Sequence, residues 1–132
     1  MLRRLLLTLA LLLAAHPALA SGGGGGTDAV LYVRFEPIII PVFDSARVSG
    51  LVSVTINLKV DRPEDKQAIE ADRPRFINAY RLALAEVADL HISPRQPLRV
   101  NLIHQAIQRA TDKLQTKHPA KALIVDASVR AM

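Results

Sequence analysis

Leu51-Val-Ser-Val-Thr-Ile-Asn-Leu-Lys-Val60 is the stretch on which the fold turns. Val52, Val54, Ile56, Leu58 and Val60 share one face, and Ser53, Thr55, Asn57 and Lys59 share the other. A period of two is what a strand with one dry and one wet face requires. Burying five branched aliphatic side chains is worth about 10 kcal/mol gross. A one-residue slip would turn all five into water, so the register is strongly specified. The rest of the chain is therefore expected to supply cover for this face.

Upstream, Leu31-Tyr-Val-Arg-Phe-Glu36 alternates in the same way, and Pro37-Ile-Ile-Ile-Pro-Val42 continues it. Two prolines lack ladder donors, which predicts an exposed edge strand, Tyr32–Val42, or a strand with a bend. Asp44-Ser-Ala-Arg-Val-Ser-Gly50 is rich in turn formers and predicts a loop closing an antiparallel hairpin. Downstream, Asp61 with Glu64 has the spacing of a capping box. A second Asp-Arg-Pro, at Asp72–Pro74, predicts a kink at Pro74, with Asp72 capping a longer segment. From there Phe76, Ile77, Tyr80, Ala83, Leu84, Val87 and Leu90 form a helical stripe. Leu82, with Ala79 and Ala85, lies off that stripe, as a helix contact or a partner surface. Pro97 suits the start of another helix, with Leu98, Leu102, Ile103, Ala106, Ile107, Ala110 and Leu114 on one side and Pro119 ending it. Ala122–Ala131 alternates Leu123 and Val125 with Asp126, Ser128 and Arg130, a final strand expected beside Leu51–Val60.

The elements then run β-β-α-α-β with the first helix kinked. The fold class is α+β: a small antiparallel-rich sheet covered on one face by amphipathic helices. The 132 residues leave room for one such domain, over residues 30–132. Residues 21–29 contain the run Gly22–Gly26, five of the six glycines of the chain, and predict a flexible linker.

Residues 1–20 have the form of a secretory signal peptide. A basic start with Arg3 and Arg4 precedes the apolar run Leu5–Ala15, and Ala18-Leu-Ala20 before Ser21 suits cleavage between Ala20 and Ser21. The alternative is a short inner-membrane anchor over residues 5–20. As a helix, Leu5–Ala15 rises about 17 Å against a hydrocarbon core of about 30 Å. Both readings place the domain in the periplasm. Cleavage would remove Arg3 and Arg4 and lower the formal charge from +5 to +3, too small a surplus in an exported domain to suggest nucleic acid. With no cysteine, disulfides and thiolate metal sites are ruled out.

A catalytic constellation is equally hard to find. In the mature chain the histidines are His91, His104 and His118, whose spacing matches no compact metal motif. His104 falls with Gln108 and Asp112 on what reads as a wet helix face. Ser45, Ser49 and Ser93 could each be drawn into a Ser-His-Asp set, but none sits in a nucleophile-elbow pattern. Asp61, Glu64 and Asp65 are explained as helix-start charges. No catalytic, cofactor-binding or metal-binding residues are expected, and the chain reads as a non-enzymatic protein.

The succession Val33–Val42, Leu51–Val60, an acidic helix start, Phe76-Ile-Asn-Ala-Tyr80 after a helix-breaking proline, a second amphipathic helix and Leu123-Ile-Val-Asp126 resembles the periplasmic domain of the FliL family of flagellar basal-body-associated proteins. The likeness covers about residues 33–129. It implies a stomatin-like fold, a periplasmic domain at the inner membrane, self-association into a homo-oligomer and contact with flagellar stator and basal-body proteins. It also implies an accessory role in motility without enzymatic activity. Within that resemblance, Arg34 and Glu36 on the edge strand and the Leu82 patch are the candidate interaction surfaces. The alternative function is a soluble periplasmic binding or adaptor module unrelated to motility.

Overall fold

A computed structural model describes residues 30–132. The signal-peptide or anchor reading, the cleavage position at Ala20 and Ser21, and the linker up to residue 29 lie outside the described residues. The described part is α+β: β1 (Leu31–Arg34), β2 (Ile38–Asp44), β3 (Arg47–Val60), α1 (Pro63–Ala71), α2 (Arg73–His91), α3 (Val100–Leu114) and β4 (Lys121–Ala131).

The alternating stretch is the centre of the sheet. β3 pairs antiparallel with β1, β2 and β4. β1 faces Asn57–Val60 and β2 faces Arg47–Val54, while β4 runs alongside Gly50–Lys59. A strand has two edges, so β1 and β2 lie end to end on one edge and β4 fills the other. Val52, Val54, Ile56, Leu58 and Val60 are all buried, as the alternation requires. Beneath the helices they meet Ile69, Phe76, Tyr80, Leu84, Ile103 and Ile107. Phe35, Phe76 and Tyr80 form one aromatic cluster, with ring centroids 5.4–6.4 Å apart.

The element order differs from the expected β-β-α-α-β at two places. The edge segment is two strands, because Phe35–Pro37 inserts a bend where Pro37 can donate no ladder hydrogen bond. Phe35 still donates its N–H to Ile56 O (3.0 Å), so the two strands follow one edge. The helix predicted to kink at Pro74 is interrupted at Asp72, giving separate α1 and α2. Asp72 is the N-cap residue of α2 but makes no side-chain cap; its carboxylate pairs with Arg75 at 3.5 Å. The capping box is absent too: Arg62 is the N-cap of α1, and Glu64 turns to Arg62 at 3.6 Å.

Three further expectations are corrected. The Asp44–Gly50 loop shrinks to a two-residue turn, Ser45-Ala46, both left-handed at φ 48° and 66°, and β3 begins at Arg47. Pro97 precedes α3, whose first residue is Val100. In β4 the inward residues are Ala122, Ile124, Ala127 and Val129, opposite Leu58, Ile56, Val54 and Val52. A bulge at Val125 resets the alternation and leaves that side chain exposed.

Gly50 closes the far end of the sheet. A Cβ there would stand 2.6 Å from Arg130 O and 2.8 Å from Pro94 Cγ. The absence of a side chain lets β4 and the α2–α3 loop meet over β3.

Candidate functional site

The α2 stripe is narrower than its apolar positions suggest. Phe76, Tyr80, Leu84, Val87 and Ala88 are buried, whereas Leu90 is 67% exposed, close to the 66% of Leu82. Leu82, Glu86 and Leu90 recur every four residues along one side of α2, which brings them into line. They form one wall of an open groove of about 560 Å3 between α2 and α3. Leu102 and Leu114 contribute apolar surface from α3, and Ala83, Ala106 and Ala110 keep the floor shallow. The rim carries both signs of charge, Glu86 on α2 and Arg109 and Lys113 on α3. An apolar trough with small residues at its base and charges at its border has the chemistry of a groove that an amphipathic helix can enter through side chains at i, i+3, i+4 and i+7.

Arg34 and Glu36 are in another place. Both are exposed on the outer side of β1 and the bend that follows it. Here Arg73 is the organising residue: it donates to the Arg34 carbonyl (2.6 Å), pairs with Glu70, and lies 5.0 Å from the Phe35 ring centroid. The guanidinium thereby ties the start of α2 to β1 through hydrogen bonding and cation–π contact. The structure brings Arg34 together with Arg73, Glu70 and Lys66, whereas Leu82 belongs to the α2–α3 groove.

The helix face carrying His104, Gln108 and Asp112 is not simply solvated. His104 Nε2 is 3.0 Å from Ala122 O. Gln108 donates to Ala120 O (2.9 Å) and to Asp112 Oδ1 (2.8 Å), and its Oε1 accepts from Ala122 N (2.8 Å). These side chains occupy the outer backbone groups at the start of β4, an edge that a helix covers. The signal available in the sequence was the run of three polar residues at four-residue spacing, which fits a ladder partner as well as a wet face.

The histidines remain separate. His118 meets Arg62 at 2.9 Å, His104 meets Ala122, and His91 lines the groove. Ser45 donates to Asp44, Ser49 donates to Val42 O, and Ser93 accepts from Arg95 N. Among the described residues, no group of three or more His, Cys, Asp or Glu is placed to hold a metal ion, and no helix is long and apolar enough to cross a membrane.

No protein-family model matches the chain, and no curated protein does either.

Proposed function

We propose that this chain is a non-enzymatic accessory protein of the flagellar motor, acting in the periplasm by protein–protein binding to stator or basal-body components. The observation that carries a binding role is the α2–α3 groove, with Leu82 and Leu90 two-thirds exposed at its wall. Large apolar side chains clustered at a shallow groove favour a partner surface. The motor assignment rests on the FliL-like succession of residues 33–129, and the stomatin-like fold belongs to the same reading. The export signal at residues 1–20 supports the periplasmic setting, with either release or retention at the inner membrane. Arg34 and Glu36 offer a second contact surface at the β1 edge of the sheet.

The test is motility. A strain lacking the gene should build flagella visible by electron microscopy yet swim poorly in soft agar, and the full-length gene should restore swimming. Normal swimming, under viscous load as well, would overturn the motor reading and favour an envelope adaptor, which the cleavage pattern before Ser21 also supports. Charge reversal at Arg34 and Glu36 should weaken assembly; full motility in that variant would remove this edge from the contact surfaces.

A further inference from the structure

The two outer edges of the sheet differ. The β1–β2 edge is blunted: Pro37 and Pro41 have no N–H, and Arg73 occupies the carbonyl of Arg34. The β4 edge is covered only where α3 reaches it, at Ala120 and Ala122. Beyond the bulge at Val125 the alternation of the backbone is known from its end, where Met132 N donates to Ser49 O (3.0 Å). Even-numbered residues there turn their backbone groups toward β3, so Ala127, Val129 and Ala131 direct theirs outward. No other strand of the described residues pairs with that edge.

The side chains along this segment complement themselves. Asp126, Ser128 and Arg130 are exposed on the open face of the sheet, opposite Thr55, Ser53 and Leu51. Among the described residues, neither Asp126 nor Arg130 pairs with another charge. We infer that two copies of this chain associate through β4, antiparallel about a two-fold axis at Ser128, so that the two sheets become one. In this register Ala127 faces Val129 of the second copy, and both have outward N–H and C=O groups to exchange. Asp126 faces Arg130 of the second copy, and the symmetry repeats that pair on the other side of the axis. Only this register satisfies backbone parity and charge together. A shift by two residues keeps the ladder but moves Asp126 away from Arg130. Opposite charges directly across a non-hydrogen-bonded pair are favourable and like charges are not, so the pair selects register more than it adds strength. The interface is isologous and closes at two copies. It stands whether or not the chain serves a motor.

The absence of cysteine makes the test direct. At the axis, Ser128 meets its own copy in a non-hydrogen-bonded pair, where Cβ atoms approach closely enough for a disulfide. The full chain carrying Ser128→Cys should give a covalent dimer under mild oxidation. The same replacement at the exposed turn residue Ser45 should stay monomeric. Adding Asp126→Arg or Arg130→Asp to Ser128→Cys should reduce the dimer at least tenfold, and adding both together should restore it. Mixing the two single-reversal chains should also restore it, because each then supplies the charge the other needs. A folded Ser128→Cys chain that stays monomeric would overturn the inference. So would a dimer indifferent to the charge reversals.

Discussion

Tyr80 Oη lies 2.8 Å from Thr111 Oγ1, a hydrogen bond between α2 and α3 with both side chains fully buried. The Thr111 hydroxyl already donates to Ile107 O (2.8 Å), so Tyr80 is the donor and Thr111 its acceptor. The direction makes the two partners unequal. Tyr80→Phe leaves Thr111 with its own acceptor and should cost about 1 kcal/mol. Thr111→Val strands a buried phenol and should cost more, about 1–3 kcal/mol. Urea unfolding of the two variants checks the order.

Burial pushes the Tyr80 pKa up to about 12. The fold therefore favours the protonated phenol. Its contribution is fully present below pH 10, where an unfolded tyrosine is still neutral. Between pH 10 and 12 the unfolded chain releases the proton and the folded one keeps it, so stability falls by about 1.4 kcal/mol per pH unit from this group. Compared by urea unfolding at pH 9 and 11, the Tyr80→Phe variant should lose less stability than the parent.

Gln108 holds the first residues of β4 with two backbone hydrogen bonds. Gln108→Ala should cost about 1–3 kcal/mol, since it leaves Ala122 N and Ala120 O without that partner. Amide exchange at Ala122 should quicken while amides at the centre of β3 keep their protection.

The Ser45-Ala46 turn carries left-handed backbone without a glycine or asparagine. An L-residue in that region costs about 1–2 kcal/mol, and glycine's extra unfolded-state entropy gives back about 0.5–1 kcal/mol of the relief. Ala46→Gly should therefore stabilise by roughly 0.5–1 kcal/mol, visible as a raised denaturation midpoint with an unchanged slope.

Leu82 and Leu90 contribute little to the fold and much to the groove. The double replacement Leu82→Ser, Leu90→Ser should shift stability by less than about 1 kcal/mol, as exposed substitutions do. In a motile strain it should nonetheless reduce swimming toward the level of the deletion. Full swimming would exclude the groove as the contact surface.

Much of the fold was legible because side-chain period reports burial directly. Val52 to Val60 needed no other information, and neither did the core of α2 from Phe76 to Val87. The hairpin was harder: Ser-Ala has none of the chemistry that usually marks a two-residue turn, so strand residues Arg47–Ser49 read as loop. The bulge at Val125 was invisible, since an inserted residue changes which side chains face inward without changing their types. Leu90 fitted the helical stripe and still lies outside, on the wall of the open groove between α2 and α3. Of the candidate surfaces, Leu82 was recognisable as a residue off the stripe. The groove it lines required a second helix whose position no spacing within α2 reveals.

Every strand of the sheet depends on β3, yet one of its two edges is filled from nearby and the other from beyond three helices. The order of synthesis then acquires a meaning. The hairpin with β2 can form while the chain is still growing, whereas the partner for the second edge leaves the ribosome last. A prematurely terminated product would leave one edge of Gly50–Lys59 open, a long apolar-backed template for the wrong strand. The sheet cannot close before its last strand has been made, so the second edge of β3 stays open until synthesis has passed all three helices.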